Sequence, residues 1–260
     1  RMRIIRGTNR DKSGINGDFL CIKGRYAFDF VDHPQRLTTP LVRVDGELRP
    51  ASWDQALAEA ARLLEEARKE PGATGVIGSN LSTNEENYIL QKFARTVLHT
   101  NNIDHRRTAD FTAFFGALAE FGGETASMAE IAAAPAILLI GSDPTYRHPL
   151  LAWQIRRAVR QHGARVHIVH SRRIKLCRQA TQFIEVPAGG EADLVQLLLV
   201  AQEKGFDPAS ARNGDQIAQM LDNLGHTSGV VIVFGSELTG TASRSLVRFG
   251  SSLSYAKYIC

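Results

Sequence analysis

Ala132-Ala-Ala-Pro-Ala-Ile-Leu-Leu-Ile140, followed at once by Gly141-Ser-Asp-Pro-Thr-Tyr-Arg-His-Pro149, is the stretch on which the fold turns. Residues 136–140 are apolar without alternation, the pattern of a strand covered on both faces, and Gly141 ends it. Residues 149–161 then carry apolar side chains at helical spacing and stop at Gly163. The rhythm repeats, with strands at 165–170, 182–186 and 230–234 and helices at 192–204 and 242–249. Upstream, Ser52-Trp53-Asp54-Gln55 has capping-box spacing ahead of a helix over 53–69, which Pro71 and Gly72 close. Residues 74–78 read as a short strand. A second helix begins where Ser82 or Thr83 can cap it and Glu85 and Glu86 suit its first turn, with Ile89, Phe93 and Val97 as its core face.

These elements predict an α/β fold, doubly wound, with mainly parallel sheet layers and helices on both faces. Such sheets bind ligands beyond the carboxyl ends of their strands, which singles out loops 78–84, 141–149, 170–175 and 235–240. Residues 1–45 are different in kind, punctuated by Gly14, Gly17, Gly24, Pro34 and Pro40. The expected division is therefore 1–45, a first α/β segment over 46–124, and a second, Rossmann-like domain over 125–260.

Hydrophobic residues make up 43% of the chain and charged residues 22%, enough for a sizeable core and too ordered a composition for a disordered tail. Lys and Arg number 31 against 27 Asp and Glu, so no concentrated basic face argues for nucleic acid. No apolar run reaches the roughly 20 residues that span a bilayer, so direct membrane insertion is not expected. Three scattered cysteines, Cys21, Cys177 and Cys260, form no disulfide framework and suit a reducing compartment. Arg1 is no initiator Met, and the expectation is a piece of a longer protein.

Several residue groups invite chemistry and have plainer readings. His162, His167 and His170 surround one strand, but a metal would need convergent geometry and a fourth donor, so they read as surface or loop-end histidines. Cys177, among Arg172, Arg173, Lys175 and Arg178, reads as a packed thiol before a reactive one. Arg156, Arg157 and Arg160 read as a solvated helix face. Pro187-Ala-Gly-Gly190 ahead of a helix reads as a turn before an anion seat.

Gly17-Asp-Phe-Leu-Cys-Ile-Lys-Gly-Arg25 resembles the segment that ends the iron–sulfur domain of molybdopterin oxidoreductases such as formate dehydrogenases. The resemblance continues in order through Asp32-His-Pro-Gln-Arg-Leu-Thr-Thr-Pro-Leu-Val-Arg43, Thr83-Asn-Glu-Glu-Asn-Tyr88, Gln91-Lys-Phe-Ala-Arg95 and Thr100-Asn-Asn-Ile-Asp104. It implies that residues 1–45 are the small β-rich tail of an iron–sulfur domain. Cys21 would be the fourth thiolate of a [4Fe–4S] cluster in the intact parent, incomplete here because the other three cysteines lie upstream of Arg1. Lys23 would be the electron-relay lysine between cluster and pterin.

The same resemblance implies a degraded metal site. Active relatives carry Cys or selenocysteine followed by His, where this chain has Asp110 and Phe111, and Thr108 stands for the family arginine. The dinucleotide arm would meet Gly141, Asp143, His170 and Arg172, with His170 replacing an acid and Tyr146 and Arg147 crowding small or acidic positions. Molybdopterin is therefore expected to be absent, although a carboxylate such as Asp110 can ligate molybdenum. Asn101-Asn-Ile-Asp-His105 with Thr108-Ala-Asp-Phe111, and Lys175-Leu-Cys-Arg-Gln-Ala-Thr-Gln-Phe183, look like the large iron–sulfur subunit of bacterial NADH-quinone oxidoreductases, respiratory complex I. That resemblance implies a scaffold in NADH-to-quinone electron transfer, partnered by other peripheral-arm subunits on the inner face of the plasma membrane. A molybdopterin enzyme with Asp110 as ligand and a free-standing nucleotide-binding α/β module are the alternatives.

Overall fold

The computed structural model describes residues 4–9, 19–70, 72–79, 81–105 and 110–260. They fall into two compact units, one of residues 26–106 with the first six residues, the other of residues 7–25 with 107–260. The expectations placed on Gly14, Gly17, Pro71 and Thr108 lie outside the described residues.

The five-residue helix α1 (Ile22–Tyr26) lies almost wholly in the second unit; in the first, a 3-10 turn over Asp29–Asp32 precedes an antiparallel hairpin of β1 (Leu41–Val44) and β2 (Glu47–Pro50). Asp45 and Gly46 both take positive φ between these strands, as a two-residue hairpin turn of the type I′ kind demands. Of the stretch expected to be β-rich, the described part before residue 46 contains only β1 as strand, because its Gly and Pro punctuation leaves no alternating run. Helix α2 (Trp53–Ala67) opens with the expected capping box. The Ser52 hydroxyl accepts from the Gln55 N–H, and the Gln55 side-chain carbonyl accepts from the Ser52 N–H. Strand β3 (Val76–Gly78) pairs in parallel with β4 (Ile103–His105), and α3 (Asn84–Thr96) lies between them in sequence. Thr83, not Ser82, caps α3, in a second capping box closed by Glu86.

The core face expected for α3 is not the one this chain buries. Ala94 and Leu98 are buried, whereas Ile89, Phe93 and Val97 are 60%, 38% and 45% exposed. Apolar residues line adjacent rows of the helix, and the four-residue period cannot tell which row meets the local strands.

In the second unit the chain order is α4 (Phe111–Phe121), β5 (Glu124–Thr125), α5 (Met128–Ala133), β6 (Ala136–Ile140), α6 (Pro144–Arg147), α7 (Pro149–His162), β7 (Arg165–His170), β8 (Gln182–Glu185), α8 (Glu191–Lys204), α9 (Gly214–Gly225), β9 (Val230–Val233), α10 (Thr241–Ser251) and β10 (Ala256–Ile259). Six strands form one sheet, ordered β5-β10-β9-β6-β7-β8, with every pairing parallel. All five residues of β6 are buried because the sheet has a covered layer on each side. Ala136, Leu138 and Ile140 join Phe114, Leu198, Met220 and Leu246 on one face. Ile137 and Leu139 join Ile131, Ala152 and Ile155 on the other. Burying each of these large aliphatic side chains contributes about 1.5–3 kcal/mol, so β6 anchors both layers.

From β6 the chain proceeds to β7 and β8 on one side, then returns to place β9 and β10 on the other. The order reverses between β6 and β9, and the carboxyl ends of those strands frame a crevice.

Two of the three histidines expected at the surface or at loop ends are buried. His162 ends α7 exposed, but His167 and His170 of β7 are 1% and 7% exposed, because a strand covered on both faces has no surface side. The His167 Nδ1 lies 3.1 Å from the Gln182 side-chain oxygen, and the Gln182 amide donates to the Gln216 carbonyl at 2.6 Å. The His167 Nε2 is buried with no hydrogen-bond partner among the described residues. Cys177 is partly buried against the Ile137–Leu139 layer.

Candidate functional site

Loops following β6, β7, β8 and β9 converge on a pocket of about 470 Å³, within the range of small-molecule sites. Gly141 leaves β6 with φ +71°, and a Cβ there would meet the Glu237 Cβ at 2.9 Å and the Glu191 Cγ at 3.4 Å. Glycine therefore lets two acidic side chains crowd the strand end. Asp143 turns back to cap α6, accepting from the Thr145 N–H at 3.1 Å. Across the pocket, Arg147 lies 4.0 Å from Glu237 and donates to Ser236 at 3.4 Å.

At the end of β7, the His170 Nδ1 accepts the Arg172 N–H at 3.1 Å, which places any ring proton of the neutral form on Nε2. Burial holds His170 below its ordinary pKa and Arg172 acts in the same sense, while Glu191, Asp143 and Glu237 oppose them. Glu191 opens α8 and is 3% exposed, so a carboxylate already stands at the positive end of that helix. This supports reading residues 187–190 as a turn. The walls thus offer carboxylates to hydroxyl and amino donors, and guanidinium groups to phosphate.

Gly141, Asp143, His170 and Arg172, singled out from sequence, all line this pocket, and Tyr146 and Arg147 stand at it too. Sequence reasoning misses Glu191 and Glu237 as individual residues. Glu237 lies inside an expected loop. Glu191 could be found by extending the strand-end rule to β8, whose following turn supplies Gly189 and Glu191 to the wall.

Asp110 and Phe111 stand elsewhere in the same unit, at the start of α4. The Asp110 carboxylate accepts the Ala113 N–H on Oδ1 at 3.2 Å and the Gly240 N–H on Oδ2 at 3.0 Å. It caps its own helix and ties it to the loop before α10. Phe111 stacks on Phe115 at 6.0 Å between ring centroids and packs against the core.

Of the segment that carries Cys21 and Lys23, Lys23 touches a pocket residue, Tyr146. The Lys23 ammonium lies 5.0 Å from the centroid of the Tyr146 ring, and Phe19 packs on Trp153 with centroids 4.1 Å apart. The Cys21 sulfur accepts the Gly24 N–H at 3.4 Å. Cys21 offers one thiolate, and among the described residues no group of three or more His, Cys, Asp or Glu could hold a metal ion. A cubane cluster needs four such ligands, which the described residues do not bring together around Cys21.

In the first unit, a separate crevice of about 350 Å³ opens at the carboxyl ends of β3 and β4, lined by Ser79, Asn87, Gln91, Asp104 and His105. Asn87 fastens its wall by accepting the Ser79 N–H and donating to the Ser79 carbonyl. Among the described residues, no helix is long and apolar enough to cross a membrane.

The family profile described as "Molybdopterin oxidoreductase" matches residues 36–205. The F420-dependent formate dehydrogenase 1 subunit alpha of Methanococcus maripaludis is 37% identical over 93% of this chain and 36% of its own length. "Probable oxidoreductase YjgC" of Bacillus subtilis is 28% identical over 99% of this chain and 27% of its own length. Among solved structures, acetylene hydratase from Pelobacter acetylenicus superposes with a TM-score of 0.62 at 18% identity, over 89% of this chain and 37% of that one. That likeness establishes the shared fold. The chain spans about a third or less of the curated relatives it matches.

Proposed function

The chain belongs to the molybdopterin oxidoreductase family, and from that premise we propose that it is a segment of a large redox subunit whose pterin-type domain is kept as scaffold. In its finer form the reading is the large subunit of an NADH-quinone oxidoreductase, working in electron transfer beside other peripheral-arm subunits. It would sit on the inner face of the bacterial plasma membrane, without inserting and without nucleic acid. The observation that carries the scaffold reading is the engagement of Asp110. Where the sequence resemblance places a metal ligand, both carboxylate oxygens accept backbone N–H groups, and the neighbouring Phe111 offers no proton-carrying group. A [4Fe–4S] cluster would supply one-electron transfer when bound. Cys21 would donate one thiolate to it, and Lys23 would place a cation beside it.

A second reading is a formate-dehydrogenase-type molybdopterin enzyme with Asp110 as ligand. The relatives support this more directly than they support the complex I form, since one of them is named a formate dehydrogenase subunit. The pocket also suits it. Arg147 and Arg172 would face phosphate, and Glu191 and Asp143 would take hydroxyl or amino donors of a nucleotide.

Metal analysis of the longer native protein separates the two, read alongside NADH-driven quinone reduction and formate oxidation. Iron without molybdenum or tungsten, with NADH-linked turnover, is the expected outcome. Stoichiometric molybdenum or tungsten with formate oxidation sinks the scaffold reading and establishes the second.

A further inference from the structure

We propose that the outer face of α7 and of the 3-10 turn Lys175–Arg178 is the docking surface for a separate acidic protein, one that presents clustered carboxylates and binds reversibly. The near balance of charge over the whole chain conceals an uneven distribution. Between Asp143 and Glu185 the sequence carries nine Lys and Arg and no Asp or Glu. Six of them leave one side of the second unit's sheet: Arg156, Arg157 and Arg160 from α7, and Arg173, Lys175 and Arg178 from the turn and its approach. They share that side because Ile155 and Ala158 of α7, Leu176 of the turn and Phe183 beneath Arg173 pack into one layer. All but the half-buried Arg156 are exposed.

Among the described residues none of the six is ion-paired. On other surfaces Arg62 holds Glu59 and Glu66, Arg244 holds Glu120, Arg248 holds Glu203, and Lys257 holds Glu124 and Glu130. Cations left together without acids repel one another, and an acidic partner removes that cost. Five of the six are arginine, which protein–protein contacts favour over lysine. Two of these are held in place. The Arg157 guanidinium stands 5.8 Å from the Trp153 ring centroid and donates to the Gln161 side chain at 2.7 Å. Arg173 stands 5.1 Å from the Phe183 centroid. A guanidinium fork fixed in this way loses less entropy when it grips a carboxylate.

Phosphate would answer the same guanidinium groups, but the surroundings select a protein. Trp153 is taken by Phe19 and Arg157, and Phe183 by Arg173, so a nucleic-acid base finds no open ring. No large apolar side chain among residues 147–184 is exposed, so the face has nothing to insert into lipid. The same lack distinguishes it from a permanently covered interface, which is more hydrophobic. The inference is independent of whether the pterin-type domain is scaffold or enzyme.

The test follows binding of fluorescein-labelled poly-L-glutamate to the longer native protein by anisotropy, across a salt series. Arg160→Glu/Lys175→Glu/Arg178→Glu alters three side chains that make no hydrogen bond or ring contact among the described residues. It should weaken binding at least about tenfold and flatten the salt dependence, because like charges across a contact repel. A control of equal charge in the first unit, Arg36→Glu/Lys69→Glu/Arg95→Glu, should change binding less than about twofold. No binding of polyglutamate, or equal effects of the two variants, would overturn the proposal. So would tighter binding of phosphatidylserine vesicles or duplex DNA that the first variant abolishes. If that variant fails to fold, Arg160→Gln/Lys175→Gln/Arg178→Gln gives the same comparison, with at least about a threefold loss expected.

Discussion

Replacing Asp110 decides whether its carboxylate is a helix cap or a ligand held in reserve. Asp110→Ala removes the acceptor for the Ala113 N–H, a cap loss that costs about 1 kcal/mol in typical helices. It also strands the Gly240 N–H, whose bond to a charged acceptor is worth about 1.5–3 kcal/mol; Gly240 is exposed, so water recovers part of it and the lower end applies. The sum is about 2–3 kcal/mol. At about 2–4 °C per kcal/mol for a domain of this size, the midpoint should fall by about 4–12 °C. Asp110→Asn keeps an oxygen for the Ala113 N–H but turns an amide nitrogen, a donor, toward Gly240, so about half of the loss is expected. Urea titration followed by circular dichroism, with thermal melts as a check, reads both variants. Wild-type stability in Asp110→Ala, within about 0.5 kcal/mol, together with loss of bound molybdenum from the longer protein, would refute the capping argument and make Asp110 a ligand.

Three further outcomes follow from the second unit. Gly250→Ala puts a methyl group on the Tyr258 hydroxyl and 2.9 Å from its Cζ, displacing a side chain that donates to the Val247 carbonyl; about 1–3 kcal/mol of overpacking is expected, with Gly250→Ala/Tyr258→Phe costing less than the sum of the singles in urea titrations. Leu138→Ala in the middle of β6 should cost about 3–5 kcal/mol by denaturant unfolding, since both neighbouring strands hold the cavity open, and a loss below about 1 kcal/mol would contradict the two-layer core. His148, His167 and His170 are all held below the ordinary histidine value of 6.5, with burial the largest cause in each. The unfolded chain therefore binds more protons, and stability is full above pH 6.5 and falls as pH drops below it. His167→Gln should flatten that fall by up to about 1.4 kcal/mol per pH unit, and an unchanged slope between about pH 6.5 and 5 would show that the buried ring is not its source.

What is legible in the sequence divides along physical lines. Residues 136–140 can be read because a strand covered on both faces has no polar alternation to confuse it. The cap at Ser52 can be read because a capping box is local, and the start of α3 can be read to within Ser82 or Thr83, of which the structure uses Thr83. Helix α4 escapes such a reading because Phe-Thr-Ala-Phe-Phe-Gly-Ala-Leu-Ala-Glu-Phe is apolar nearly all round, so no face stands out. Helix α9 escapes it because it opens at Gly214 behind Asn213 in a left-handed conformation, which imitates a loop. At the pocket, strand-end reasoning locates the loops. It cannot show that Glu191 and Glu237 press on one glycine, which depends on the lateral order of β6, β8 and β9.

The position of Asp110 shows how one residue answers differently to resemblance and to geometry. A metal ligand must direct a lone pair at a cation, whereas a cap directs its oxygens at backbone N–H donors. The first turn of a helix also carries partial positive charge from its unpaired N–H groups, which favours an anion at the cap and opposes a cation close beside it. Seated at the N-terminus of α4, Asp110 meets the demand of a cap and stands in a field that disfavours a metal ion. The described residues hold no group of three donors that could offset that field. A metal ion here would have to take its remaining ligands, and their negative charge, from a bound group. The Asp110 variants should accordingly move stability in a protein that uses the region as scaffold, and metal content in one that does not.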